Sequence, residues 1–222
     1  MSFISVFDVI GPNMVGPSSS HTAGACAIAR LAQKINNGTL KNVSFTLYGS
    51  FAKTYHGHGT DRALLGGIMG FSTDDVRIRD SFTIAGKQGI TFSFTPNDMD
   101  TDIHPNTVDI HMENTDGRVT TVRGESIGGG KVRIVRINQV KVDFTGEFNA
   151  VIIIQQDKPG VAAHITKCLS DLDVNIAFMR IFRESKGETA YTIVESDGML
   201  PADIPQRLKA NPHVHDVMLI QN

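Results

Sequence analysis

Residues 148–172 read FNAVIIIQQDKPGVAAHITKCLSDL, and this stretch decides the fold of the last third of the chain. The β-branched run at 148–155 predicts a strand, which the turn residues Asp157-Lys158-Pro159-Gly160 end. Apolar residues then recur at steps of four, four and three, at Val161, Ile165, Leu169 and Leu172. This spacing predicts a helix with one apolar face, so the stretch is a strand–turn–helix unit.

The same kind of pattern continues to the C-terminus. Apolar runs predict strands at 174–183, 188–195 and 214–220, and Pro201 fits the start of a second helix that ends near residue 211. The order β-α-β-β-α-β is that of the ferredoxin-like unit. The sequence therefore predicts a ferredoxin-like domain of the ACT type over residues 147–222.

The preceding residues, 1–146, predict an α+β domain. Helical patterns cover 19–35 and 60–69, and a strand covers 43–49. Residues 76–95 and 108–143 alternate apolar and polar positions between turn signals. We expect an antiparallel sheet with two helices packed on it.

Composition excludes several classes of protein. Lys and Arg number 21 against 23 Asp and Glu, which is unlike the basic footprint of a nucleic-acid-binding protein. No apolar run approaches the roughly 18 residues of a membrane span, and the N-terminus lacks the features of a signal peptide. We expect a cytoplasmic protein. Its two cysteines, Cys26 and Cys168, are too few for a structural zinc or an iron–sulfur cluster, and we expect both to be buried thiols.

The first candidate site is the run Gly16-Pro-Ser-Ser-Ser-His-Thr-Ala-Gly24. Its hydroxyls and imidazole come directly before an Ala-rich helix, whose first amides are unpaired and carry partial positive charge. One serine would be enough to cap the helix. The density of polar residues favours a carboxylate or phosphate site instead.

The second candidate is Tyr55-His-Gly-His-Gly-Thr-Asp-Arg62, in which glycines alternate with His56 and His58. Histidine is suited to proton transfer near neutral pH, and glycine lets the backbone approach a ligand. Two alternatives stay open: an exposed loop, and a metal site, for which no partner carboxylate has a diagnostic spacing.

Two further loops contain glycine. Gly128-Gly129-Gly130 could contact a ligand through backbone amides or could simply form a hairpin turn. Asp157-Lys158-Pro159-Gly160 lies at the first strand–helix junction of the ACT unit, where helix amides can bind a carboxylate. Asn175, before the next strand, could hold an amino group at the same end of the sheet.

Together these motifs resemble a known family. The Ser-Ser-Ser-His run, the stretch Tyr48-Gly-Ser-Phe-Ala-Lys-Thr54 leading into Gly57-His-Gly-Thr-Asp-Arg62, the triple glycine and the ACT unit are similar to the β subunit of bacterial iron–sulfur-dependent L-serine dehydratase. The resemblance implies an alternative-substrate-binding (ASB) type of N-terminal domain followed by an ACT domain. It implies a subunit of L-serine ammonia-lyase, which forms pyruvate and ammonia from L-serine and is inactive without an α subunit that holds a [4Fe–4S] cluster.

The resemblance also implies roles for residues. His58 is the preferred base and His21 the second choice, while substrate or anion binding falls to Ser18, Ser19, Ser20, Thr22, Lys53, Thr60, Asp61, Gly128 and Gly129. The ACT ligand, L-serine being the first candidate, would contact Asp157, Pro159, Gly160, Val161, Asn175 and Ile176. We expect a homodimer through the ACT domain and no metal ligands in this chain, and the need for a monovalent cation such as K⁺ stays open. The alternatives are a freestanding amino-acid sensor with an anion-binding N-terminal domain and a metal-dependent hydrolase that uses His56 and His58.

Overall fold

The computed structural model describes residues 13–100 and 102–221, and the chain divides into two units, Met1–Val135 and Arg136–Asn222. The predicted domain boundary at 146/147 lies eleven residues further along the chain. This difference arises because the strand at Val140–Phe144, which lies before the predicted boundary, packs with later strands of the second unit. The boundary of the functional domains therefore stays a prediction.

The first sheet has six strands in the order β2-β1-β3-β4-β5-β6. The pairs β1–β3 and β3–β4 are antiparallel, as expected, but β1 and β2 are parallel. A parallel pair needs a long crossover, and three helices supply it here. The strands are β1 Leu40–Tyr48, β2 Thr91–Asn97, β3 Thr107–Asn114, β4 Val119–Gly128, β5 Lys131–Ile137 and β6 Val140–Phe144.

Both predicted helices of the first unit are present. A π-helical turn, Ser19–Gly24, continues directly into α1, Ala25–Ile35, and α3 covers Thr60–Ile68. Two further helices were not predicted: α2, Gly49–Thr54, and α4, Ser81–Lys87.

The segment 76–95 was predicted as part of the sheet, which is wrong for residues 76–90 and confirmed for 91–95. A 3₁₀ turn, Val76–Asp80, precedes α4, and the strand begins only at Thr91. Val76 and Ile78 alternate with arginines and so imitate a strand, but Asp75 caps the turn by accepting from the N–H of Arg77.

Helices α1 and α3 pack closely against each other. A Cβ added at Gly67 on α3 would lie 2.3 Å from the carbonyl oxygen of Cys26 and 2.9 Å from the Cβ of Ala29, both on α1. Gly124 on β4 likewise leaves room for Ile28 of α1, since an added Cβ would lie 2.2 Å from its Cγ2. Small residues therefore set the distance between these elements.

The second unit contains the predicted ferredoxin-like arrangement. Its four strands have the order β10-β7-β9-β8, and each neighbouring pair is antiparallel. The apolar face of the first helix packs on the sheet, as the spacing of its residues predicted. The elements are β7 Asn149–Gln156, α5 Val161–Asp171, β8 Phe178–Arg183, β9 Thr189–Ser196, α6 Ile204–Leu208 and β10 Val214–Ile220.

Three predictions for this unit need correction. Strand β8 begins at Phe178 rather than at residue 174, because the N–H of Val174 bonds to the carbonyl of Leu169 and closes the preceding helix. Helix α6 is shorter than expected. Cys168 is only partly buried, whereas Cys26 is buried as predicted. Within the described part of the chain, no helix has the length and apolar character needed to span a membrane.

Candidate active site around His21 and His58

The serine-rich run forms a capped π-helical turn. Ser18 has extended backbone geometry, and its Oγ accepts a hydrogen bond from the N–H of His21 at 3.1 Å. This cap occupies one of the amides that an anion would need at the helix start. π-Helical turns are rare and often lie at functional sites.

Both ring nitrogens of His21 have hydroxyl partners. Nδ1 lies 3.0 Å from the Oγ of Ser20 and 3.4 Å from that of Ser18, and Nε2 lies 2.9 Å from the Oγ of Ser50. Burial, followed by the neighbouring His58, lowers the pKa of His21. His21 is therefore held as a neutral imidazole, and because a hydroxyl can donate or accept, either tautomer keeps both hydrogen bonds.

Ser50 was not among the predicted site residues, although it lies inside one of the quoted motifs. It follows Gly49, which has φ +53° and lies so close to Pro105 that an added Cβ would be 2.8 Å from the proline Cα. The N–H of Ser50 donates to the carbonyl of Pro105 at 2.7 Å. The sequence signal for this tight turn was Gly49, the last residue of a predicted strand. Glycine adopts the left-handed region without steric cost.

His58 lies beside His21, and a hydrogen bond from Thr22 to the His58 backbone holds it there. The Oγ1 of Thr22 donates to the carbonyl oxygen of His58 at 3.1 Å, and the two imidazole centroids are 4.8 Å apart. Among the described residues, the buried Nδ1 of His58 has no hydrogen-bond partner. A buried nitrogen of this kind is available to a ligand or to another chain.

His56 has a different environment. Its Nδ1 lies 2.9 Å from the Oδ2 of Asp61, and the other carboxylate oxygen accepts from the N–H of Arg62. Asp61 is buried and therefore orients His56 and the start of α3. In the ranges 13–100 and 102–221, no group of three or more His, Cys, Asp or Glu side chains could hold a metal ion.

A pocket of about 330 Å³ joins the two histidine motifs. Its lining contains Gly16, Pro17 and Thr22 from the first motif and residues 56–59 from the second, together with Val15 and Ile78. Arg62 and Arg79 also line it, and neither was among the predicted site residues. Arg62 could have been found, because it ends the second motif, but Arg79 lies in the segment that was mistaken for a strand.

Other predicted residues lie elsewhere or are enclosed. Lys53 lines a separate pocket of about 310 Å³ with Asp98 and Asp100. Thr60 is fully buried, and its Oγ1 has no partner among the described residues. Gly128, the last residue of β4, and Gly129, in the following turn, have φ of +102° and +62°, which explains these glycines without a ligand. Their predicted roles in binding stay predictions.

The ACT loop is well ordered by its own contacts. The Oδ2 of Asp157 accepts from the N–H of Gly187 at 3.0 Å and from Arg183 at 3.2 Å. The first of these bonds, together with Arg183, lowers the pKa of Asp157. Gly160, with φ +89°, precedes α5, and Val161 belongs to the core.

The remaining predicted ACT residues differ in exposure. Pro159 and Asn175 are exposed, whereas Ile176 packs partly against the core. Asp157 therefore fixes the loop against the β8–β9 turn, and the ligand contacts predicted for this loop stay predictions.

A unit with two histidine motifs at one pocket, followed by a ferredoxin-like unit, is the arrangement expected of an enzyme subunit with an ACT domain. Comparison with known families agrees with this arrangement. The model of the serine dehydratase beta chain matches residues 5–136, and that of the ACT domain matches residues 150–213.

Individual relatives extend the match. The L-serine dehydratase beta chain of Peptoniphilus asaccharolyticus is 42% identical over 89% of both chains, and the probable L-serine dehydratase beta chain of Bacillus subtilis is 37% identical over 99% of both. The D-3-phosphoglycerate dehydrogenase of Bacillus subtilis is 28% identical over 87% of this chain and 36% of its own length. The chain belongs to the serine dehydratase beta chain family, which confirms the resemblance drawn from its motifs.

Proposed function

We propose that this chain is the subunit of an L-serine ammonia-lyase that completes the active site of an α subunit. The observation that carries the proposal is the convergence of both histidine motifs and two arginines on one pocket. Removing a proton next to a carboxylate needs a seat for the anion and a nearby base, and the pocket offers residues for both.

The iron–sulfur cluster of the proposed enzyme does not fit this chain. Cys26 is buried with its pKa raised to about 12, so the thiolate that a cluster needs is disfavoured, and it is remote in sequence from Cys168. We therefore place the [4Fe–4S] cluster on the partner α subunit. The chain by itself would be inactive.

His58 is the base in this proposal. Its Nδ1 has no hydrogen-bond partner among the described residues, so turning this nitrogen toward the α-proton of serine would break no bond at it. His21 would support it by position: its neutral ring is held between hydroxyls at both nitrogens, with its centroid 4.8 Å from that of His58. The substrate carboxylate would lie in the pocket beside Thr22.

The ACT unit would act as a sensor for an amino acid, with L-serine as the first candidate. Gly160 leaves the start of α5 open, because a Cβ added there would meet no atom within 4 Å. We also propose a homodimer through this unit and a cytoplasmic location. A requirement for K⁺ would be tested by replacing it with Na⁺ in the assay.

Reconstitution with the α subunit tests the proposal. The complex should form pyruvate from L-serine, and His58→Asn should lower kcat by at least about a hundredfold, the usual contribution of a general base. His111→Asn, an exposed histidine of the same unit, is the matched control and should retain activity. Near-normal kcat for His58→Asn would remove His58 as the base. A wild-type complex that forms no pyruvate would favour the alternative of a freestanding amino-acid sensor.

A further inference from the structure

The pocket between the histidine motifs carries positive charge that its lining residues do not neutralise. Arg62 and Arg79 line it, and its lining within the described chain includes no Asp or Glu. Two carboxylates are adjacent to these arginines in sequence. Asp61 is buried and bonded to His56 and to a backbone N–H, and Asp80 is exposed and does not belong to the lining. The field in this concavity therefore favours an anion.

Arg62 is held in place by two contacts. Its Nη1 donates to the carbonyl oxygen of Arg79, and its guanidinium lies over the ring of Phe82 at 5.2 Å from the centroid. A guanidinium has five N–H donors, so this bond leaves others for a ligand. The Arg79 side chain has no ion-pair partner among the residues that the structure describes, which keeps its donors available as well.

The part of the lining at residues 56–59 leaves its backbone accessible. A Cβ added at Gly59 would meet no atom within 4 Å, and one added at Gly57 would meet only the carbonyl of Thr54 at 3.8 Å. His58, in the same part of the lining, has a buried Nδ1 without a hydrogen-bond partner among the described residues. The pocket thus combines two guanidiniums with open backbone at Gly57 and Gly59.

We propose that this pocket is a seat for a small carboxylate held by Arg62 and Arg79, and that the chain alone prefers a monoanionic 2-oxo acid to a zwitterionic amino acid. Guanidinium and carboxylate match in planar, bidentate geometry. An ammonium group finds no acidic partner in this pocket and is repelled by the two arginines. The choice of pyruvate as the 2-oxo acid rests on the proposed function; the carboxylate seat itself does not.

Titration of the isolated full-length chain tests the inference without an α subunit. Amide NMR shifts or calorimetry would follow the binding of sodium pyruvate, L-serine and inorganic phosphate at constant ionic strength. Pyruvate should bind more tightly than serine at this pocket, and Arg79→Gln should weaken pyruvate binding by about tenfold, as expected for a lost charge-assisted hydrogen bond. Arg62→Gln should have a similar effect.

Arg118→Gln is the control, since this exposed arginine pairs with Asp116 outside the pocket. Arg79 is exposed and makes no described side-chain bond, so its variant should keep the fold even if Arg62→Gln does not. Tighter binding of serine than of pyruvate at this pocket would overturn the preference, and binding of phosphate alone would overturn the carboxylate class. Equal weakening by Arg118→Gln, or no binding of any anion, would overturn the site. These results leave the turnover test with the α subunit unaffected.

Discussion

Replacing Gly67 by alanine should destabilise the first unit, because α1 leaves no space for a methyl group. The new Cβ would lie 2.3 Å from the carbonyl oxygen of Cys26 and 3.1 Å from the backbone nitrogen of Arg30, and backbone atoms cannot turn away. Alanine gains about 1 kcal/mol in helix propensity. Overpacking of this kind costs about 3 kcal/mol, at the upper end of the usual range, so the net loss is about 2 kcal/mol. That corresponds to a fall in Tm of roughly 6–10 °C for a unit of this size.

Gly86→Ala on α4 is the matched control. No atom lies within 4 Å of its added Cβ and its φ is not positive, so alanine should stabilise the helix by about 0.5–1 kcal/mol. Differential scanning calorimetry of the wild type and both variants measures the opposite shifts. If Gly67→Ala melts at or above the wild-type temperature, the close contact between α1 and α3 is refuted.

Three further predictions concern individual side chains. Ser50→Ala removes the hydroxyl at Nε2 of His21, and the reconstituted enzyme should lose roughly 3- to 10-fold in kcat, the worth of one hydrogen bond, whereas Ser93→Ala on the exposed edge of β2 should not. A thiol reagent followed by peptide mass spectrometry should label Cys168 in the folded chain and Cys26, whose pKa is about 12, only after unfolding; equal rates would contradict this. Burial raises the pKa of Glu195, so its ionised form costs stability above the unfolded pKa, and that cost disappears as pH falls below about 4.5. Glu195→Gln should therefore raise the Tm of the second unit at pH 7 but not at pH 4.

The ferredoxin-like unit was predictable because its pattern is local. Within residues 148–172 the pattern changes once, from a β-branched run to the apolar spacing of a helix. Strand β10 has the predicted bounds, Val214–Ile220. The parallel pairing of β2 with β1 could not be predicted, since it depends on how three helices return the chain to the sheet. Helix α4 was hidden because the 3₁₀ turn before it, Val76–Asp80, has a sequence that alternates apolar and charged residues as a strand does.

The site was predictable in its motifs and not in its arrangement. His21, His58 and the hydroxyls were evident from the density of polar residues, and the structure brings them together. Ser50 and Arg79 were missed because only the tertiary fold brings them to the site. Ser50 reaches His21 after the turn at Gly49, and Arg79 lines the pocket from the 3₁₀ turn that was predicted as a strand.

The hydrogen-bond partners of His21 are hydroxyls, and they therefore leave the positive charge of the pocket lined by Arg62 and Arg79 in place. Histidines at catalytic sites are commonly oriented by a carboxylate, yet His21 has a hydroxyl on each nitrogen. An acidic residue there would favour the imidazolium and would offset the two arginines of the adjoining pocket. Hydroxyls also hold the ring by hydrogen bonding while adding no charge. Asp61, next to Arg62 in sequence, is buried and bonded to His56. The serine-rich motif thus orients a neutral imidazole and leaves the positive potential of Arg62 and Arg79 available to attract a carboxylate.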